Sequence, residues 1–237
     1  MPEPQSAPLA GRFPDGTFAG VLFDMDGTLI NSTTAVVRSW LRWAEEFGVD
    51  PKALEHSHGM TSINTIRLVM ADRPEADQLR AHARIREIEL ADVDDITALV
   101  GAREAFEELD RFGVPHAIVT SCERELAAVR IEAARLPRST VVVTASDVSH
   151  GKPGPEPYEL GASRLGLAPA ECVVVEDATS GLVSGRAAGA GAVIAVLGTT
   201  PVEVLARDAD VVLTSVGDIP WPTLVTGALA DGTPARP

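Results

Sequence analysis

Aromatic residues are scarce in this chain: six Phe, three Trp and one Tyr among 237 residues. With 45% of the sequence hydrophobic, a core must therefore be built mainly from Val, Leu, Ile and Ala. Cysteine is nearly absent. Cys122 and Cys172 stand outside any Cys-x-x-Cys or Cys/His spacing, which argues against a disulfide framework and a structural zinc site. Basic residues are outnumbered, 20 against 34 acidic, for a net charge of −14. A surface of that sign repels nucleic acid and anionic lipid, so neither is expected as a partner. Any site for an anionic substrate must be locally positive. No apolar run approaches the roughly 18 residues of a membrane-spanning helix. The opening MPEPQSAPLAGRFPDG has neither the basic nor the apolar region of a signal peptide. The chain reads as cytoplasmic, with a monomer as the default state.

What is present is a rhythm. Six short apolar runs recur: Val21-Leu22-Phe23, Ala117-Ile118-Val119, Val141-Val142-Val143, Val173-Val174-Val175, residues 193–196 and Val211-Val212-Leu213. Their β-branched, unalternating character suits strands buried on both faces, as in a parallel sheet covered by helices. Helix-like stretches lie between them, at 101–112, 122–135, 155–165 and 180–188. In the first of these, Ala102, Ala105, Phe106, Leu109 and Phe112 repeat at helical spacing, and Gly113 is placed as a stop. Alternating strand and helix implies an α/β domain with a doubly wound, Rossmann-like parallel sheet.

Residues 33–98 break the rhythm. No convincing strand occurs there, and Val36, Trp40 and Phe47, then Ile63, Ile66 and Met70, then Ala81, Ile85 and Ile88 repeat helically. Pro51 and Pro74 are suitable helix starts. The expected organisation is a core domain at 17–32 and 99–216, an all-helical cap domain at 33–98 inserted after the first strand, and loosely ordered tails at 1–16 and 217–237. The tails are rich in Pro, Gly, Ala and Asp.

Ligands of open α/β sheets bind beyond the carboxyl ends of the strands, so the residues following each run are informative. After the first come Asp24-Met25-Asp26-Gly27-Thr28. Alternate strand residues share a face, so Asp24 and Asp26 can address one site. Two carboxylates that close call for a cation, or for one acid held protonated. An exposed Asp-Gly turn is the plain alternative. After the second run come Thr120-Ser121-Cys122-Glu123, either an anion site at a helix start or a capping box. After the third, and a short loop, come Gly151-Lys152-Pro153-Gly154-Pro155, where Lys152 is either a fixed point charge for phosphate or a solvated loop lysine. After the fourth come Glu176-Asp177, either hard oxygen ligands for Mg²⁺ or an acidic helix start. Taken singly each cluster is ambiguous. Together they supply a nucleophile, a hydroxyl, a cation and a metal ligand at four successive strand ends.

The pattern Asp24-x-Asp26-Gly27-Thr28, Thr120-Ser121, Lys152-Pro153-x-Pro155 and Glu176-Asp177 resembles the four motifs of the haloacid dehalogenase superfamily, in order and across nearly the whole chain. The phrases Lys-Pro-Gly-Pro-Glu-Pro-Tyr and Glu-Asp-Ala-Thr-Ser-Gly resemble the branch that contains β-phosphoglucomutase, 2-deoxyglucose-6-phosphate phosphatase and glycerol-3-phosphate phosphatase. The resemblance implies a Mg²⁺-dependent phosphatase of a small sugar or polyol phosphate. Asp24 would attack phosphorus and form an aspartyl phosphate. Asp26 would protonate the leaving alkoxide and then activate water. Mg²⁺ would be held by the Asp24 carboxylate, the Asp26 carbonyl and Asp177, with Glu176 beside them. Lys152, Thr120, Ser121 and Thr28 would serve the phosphoryl group. Dehalogenases on the same scaffold attack carbon without the second acid, so Asp26 with Glu176-Asp177 favours phosphorus chemistry.

His58-Gly59 falls where these relatives carry a cap loop that enters the active site, which makes both candidates for substrate contact. Met60 and Ser62 suit a neutral polyol or sugar. Trp40 and Trp43 read as core of the helical block. The mutase relatives hold a second phosphate with an arginine just after the cap glycine; here no cation follows until Arg67, which counts against a hexose phosphomutase. A binding or regulatory protein on a retained scaffold is the third reading, disfavoured by the full set of reactive side chains.

Overall fold

The computed structural model describes residues 17–54, 60–137, 139, 141–198 and 200–225. The chain runs through β1 (Gly20–Phe23), β2 (Ile30–Asn31), α1 (Thr33–Phe47), α2 (Ser62–Val69), α3 (Glu75–Leu90) and β3 (Thr97–Ala98). It continues through α4 (Ala102–Arg111), β4 (His116–Val119), α5 (Arg124–Ala133), β5 (Val141–Val143), α6 (Glu156–Arg164) and β6 (Cys172–Glu176). The last elements are α7 (Thr179–Ala187), β7 (Ala192–Val196), α8 (Val202–Leu205), β8 (Val211–Leu213) and α9 (Trp221–Leu224).

All six apolar runs are strands of one parallel sheet, ordered β5-β4-β1-β6-β7-β8. The order winds outward from β1 in both directions, so the topological switch, where such sheets bind ligands, lies beside β1. Phe23 is in register with Ile118 on β4 and Val175 on β6. The residue after it, Asp24, therefore emerges between the ends of both neighbours.

Alternation sorts the strand residues onto two faces. Val21, Phe23, Ile118, Val173, Val175 and Ile194 pack beneath Phe106, Leu109 and Trp221; Leu22, Ala117, Val119, Val174 and Val193 pack with Tyr158, Ala162 and Leu182 on the other face. Burial on both faces accounts for the unbroken Val/Ile/Leu runs. The helical stretch has a hydrophobic cluster of its own, Trp43, Ala44, Ile66, Met70, Ala81, Ile85 and Ile88. Trp43 at its centre is fully buried and donates Nε1–H to the Ala81 carbonyl at 2.9 Å.

Two expectations are corrected. Thr97–Ala98, inside the stretch read as strandless, pairs antiparallel with Ile30–Asn31, forming a two-residue ribbon where the chain leaves and re-enters the core. Such short strands carry no periodicity to detect. The tail from 217 was expected to be loosely ordered, yet its described part, 217–225, is packed. Trp221, Leu224 and Val225 are buried, and the Trp221 ring meets Phe23 edge-on at 5.5 Å. Burying an indole outweighs the Pro/Gly-rich composition around it. Residues 1–16 and 226–237 lie outside the described residues. Among the described residues no helix is long and apolar enough to cross a membrane.

Candidate active site

Three acids converge where β1 and β6 end. Asp24, Glu176 and Asp177 are buried, and one carboxylate oxygen from each lies within 4.8 Å of the others. One cation answers them. Lys152, 2% exposed, comes from the loop between β5 and α6 and donates Nζ–H to Asp24 Oδ1 at 2.6 Å, Glu176 Oε1 at 2.6 Å and the Val119 carbonyl at 2.9 Å. All three ammonium protons are thus engaged.

Glu176 is the most heavily bonded acid. Its Oε1 also accepts the Tyr158 hydroxyl at 2.7 Å, and its Oε2 accepts the N–H groups of Asp177 and Ala178 at 3.1 and 3.3 Å. Two glycines make room for the cluster. A Cβ on Gly181 would fall 1.6 Å from Glu176 Oε1. Gly27 has φ +91°, and a Cβ there would lie 2.1 Å from Asp177 Oδ2. Only glycine combines that backbone with that closeness.

Electrostatics follow from this crowding. Burial, and then the Glu176 charge, push Asp24 up to about 7 from the ordinary 3.8, against the pull of Lys152. Burial and the neighbouring charges of Asp24 and Glu176 also raise Asp177 well above the usual carboxylate range. Burial would lower the Lys152 pKa, but Asp24 and Glu176 outweigh it and the ammonium is held charged. Three carboxylates, when ionised, face a single ammonium and leave two negative charges unbalanced. Hard oxygen donors with that residual charge fit a divalent cation such as Mg²⁺.

Asp26 belongs to a second cluster. Its Oδ1 accepts Ser32 Oγ–H at 2.6 Å and Arg130 Nη1–H at 2.9 Å, and its Oδ2 accepts the Cys122 thiol at 3.2 Å. Its side chain is not among the three acids gathered beside Lys152.

Both clusters open into one cavity of about 360 Å³, roofed by the helical insert. Asp24, Asp26, Thr120, Ser121, Glu176 and Asp177 line its floor; Trp40, Leu41, Met60, Ser62, Thr65 and Arg86 line the other side. Thr120 is buried, and its Oγ1 accepts the Cys122 N–H at 3.1 Å. The alternative capping role does not form: α5 has no side-chain cap, and Glu123 instead reaches across to Arg86 and His82 on α3. Trp40 has two roles, packing edge-on against Trp43 at 5.2 Å and lining the cavity, so reading it as core alone was incomplete. Thr28 is 1% exposed and, like Lys152, does not line the cavity; its buried hydroxyl has no hydrogen-bond partner among the described residues. His58 and Gly59 lie outside the described residues.

Sequence reasoning missed Tyr158, Ser32, Arg130 and Glu89. A signal existed for Arg130. It follows Leu126 and Ala127 at helical spacing on the buried face of α5, an unusual place for a guanidinium without partners.

The haloacid dehalogenase-like hydrolase profile matches residues 21–196, which takes in every cluster described above. The chain belongs to this family. Among curated relatives, hexitol phosphatase A of Escherichia coli is 47% identical over 171 residues, 72% of this chain and 79% of that protein. 2-Deoxyglucose-6-phosphate phosphatase 1 of Saccharomyces cerevisiae is 32% identical over 187 residues, covering 71% of this chain and 76% of that protein. Among solved structures, a hydrolase from Pseudomonas syringae superposes with a TM-score of 0.78 at 26% identity, over 84% of this chain and 95% of that one. The haloacid dehalogenase-like family resemblance read from the four motifs is thereby borne out, as is the branch that includes 2-deoxyglucose-6-phosphate phosphatases.

Proposed function

We propose that this haloacid dehalogenase-like protein is a Mg²⁺-dependent phosphatase of a small sugar or polyol phosphate, with residues 33–98 acting as a cap and a single chain as the working unit. The observation that carries the reading is the placement of Asp24: at the sheet's switch point, on the floor of a cavity, backed by Lys152, Glu176 and Asp177. The relatives' names, a hexitol phosphatase and a 2-deoxyglucose-6-phosphate phosphatase, support the substrate class.

Asp24 attacks phosphorus as its carboxylate and carries the phosphoryl group as an aspartyl phosphate. Asp26 gives a proton to the leaving alkoxide and later accepts one from the attacking water. Thr120 and Ser121 offer donors to the phosphoryl oxygens from the cavity floor, and Lys152 compensates charge from behind Asp24. Asp24, the Asp26 carbonyl and Asp177 would hold Mg²⁺, with Glu176 keeping Lys152 in place. When bound, the ion neutralises the acids so that a phosphate dianion can approach, the dominant requirement of phosphoryl transfer.

The cavity's basic residues are Arg86 and Arg130 among those described, and both are paired to carboxylates. A second phosphate would find no unspent cation there, which favours hydrolysis over a mutase reaction through a bisphosphate. Phosphate release from a panel of hexitol, hexose 6- and glycerol phosphates with Mg²⁺ tests the proposal. A sugar or polyol ester should be hydrolysed; isomerisation of a hexose phosphate without phosphate release would refute it.

A further inference from the structure

Asp26 is held by a side chain that the reaction above does not employ. Arg130, on α5, is 3% exposed. Its Nη1 donates to Asp26 Oδ1 at 2.9 Å and its Nη2 to Glu89 Oε1 at 3.0 Å. Glu89 lies near the end of α3 in the helical insert and is itself buried. Nε has no partner among the described residues, so the fork takes its orientation from Asp26, Glu89 and the Cys122 sulfur at 3.2 Å.

The two oxygens of Asp26 are therefore not equivalent. Oδ1 is fixed by two strong donors, the Ser32 hydroxyl and the Arg130 guanidinium. Among the described residues Oδ2 receives the Cys122 thiol alone, a weak donor that a substrate oxygen can displace.

We propose that Arg130 is a positioning residue for Asp26: by anchoring Oδ1 it presents Oδ2 as the oxygen that transfers the proton, and through Glu89 it ties that geometry to α3. The inference rests on Asp26 being the acid. In the first step the Asp24 carboxylate bonds phosphorus, the bond from phosphorus to the leaving oxygen breaks, and the proton on Oδ2 passes to that oxygen, leaving Asp26 ionised. In the second step the oxygen of a water bonds phosphorus, the bond to Asp24 breaks, and a water proton returns to Oδ2. A planar guanidinium can grip carboxylates on two elements at once in fixed geometry; an ammonium cannot do so in the same way.

The test uses leaving groups. The kcat/KM value reports the first step, in which a p-nitrophenolate leaves without a proton whereas the alkoxide of a hexitol 6-phosphate requires one. Arg130→Met should lower kcat/KM for the hexitol phosphate about 100-fold, the scale of a misplaced catalytic group, and for p-nitrophenyl phosphate less than about tenfold. Asp26→Asn should show the same selectivity. Because Arg130→Met leaves Glu89 buried without its partner and can fail to fold, Arg130→Met/Glu89→Met removes both charges and should give the same pattern. Arg130→Lys should fall between wild type and Arg130→Met. Should Asp26→Asn be selective while the Arg130 variants slow both esters equally, Arg130 is merely structural and the proposal is overturned. Should Asp26→Asn itself slow both equally, the reading of Asp26 as the acid fails first and takes this one with it. Full turnover of the hexitol phosphate by Arg130→Lys would also overturn it.

Discussion

The Tyr158 hydroxyl donates to Glu176 Oε1 at 2.7 Å, the same oxygen that receives the Lys152 ammonium at 2.6 Å. The chain's single tyrosine thus shares with Lys152 the task of holding the Glu176 carboxylate beside Asp24. Burial first, and then the Glu176 charge, raise its pKa well above 10, so it donates throughout the working pH range. Tyr158→Phe should lower stability by about 2 kcal/mol, the scale of a hydrogen bond to a charged group. Turnover should fall modestly. Urea denaturation with parallel kinetics checks both; an unchanged midpoint would show that the bond contributes nothing.

The crowded acids predict a pH dependence with a definite sign. Burial and the Glu176 charge push Asp24 up to about 7 from the ordinary 3.8, and Asp177 is raised too. A carboxyl whose pKa is raised by folding contributes stability that is complete below its unfolded value and lost as pH climbs through the folded one. In chelator the protein should therefore lose stability between about pH 4 and about pH 7. Mg²⁺ at a hundredfold excess over its Kd should restore about 3 kcal/mol at neutral pH, and much less at pH 5. Thermal melts with and without EDTA measure the difference. An equal Mg²⁺ effect at both pH values would show that these acids do not hold the ion.

Asp24→Asn separates chemistry from folding. It removes the proposed nucleophile, so phosphate release should drop by about 10⁴-fold or more, in the range of a lost covalent nucleophile. It also removes one of the three crowded acids, so the chelated variant should melt no lower than wild type above pH 7, with a flatter pH slope. Wild-type turnover in this variant would remove Asp24 from the mechanism.

Gly181→Ala reverses the usual helix preference. Inside a helix this change ordinarily stabilises by about 1 kcal/mol. Here the new methyl would lie 1.6 Å from Glu176 Oε1, so Glu176 must move and Lys152 with it. The variant should be less stable than wild type, with kcat reduced about 10- to 100-fold.

Trp221→Ala tests whether the C-terminal segment belongs to the core. Loss of a buried indole packed on Phe23 should cost about 3–5 kcal/mol, with kcat per folded molecule retained. Loss of less than about 1 kcal/mol would show the packing to be incidental.

Legibility tracked the range over which each feature is encoded. The six strands could be read because burial on both faces writes an unbroken β-branched run into a few adjacent residues, as in Val173-Val174-Val175. Asp24 and the Glu176-Asp177 pair stand out because each directly follows such a run, and Lys152 because it follows one after a short loop. Tyr158 and Arg130 could not be assigned, because their chemistry arises from distant pairings. Tyr158 meets Glu176 across 18 residues, while Arg130 meets Asp26 across 104 and Glu89 across 41. The 217–225 stretch was misread because composition averages over a window, whereas burial is decided by Trp221, Leu224 and Val225 individually.

The pairing of Phe18 with Val225 has a practical corollary. The backbone meets itself there, on the amino-terminal rim of the sheet, while Asp24 opens on the opposite rim. The bridge braces the entry to β1 from below, so whatever disturbs it reaches the nucleophile candidate only through the length of that strand. Both residues are buried, so this end of the core serves as a fixed footing while the opposite rim is left to the cavity.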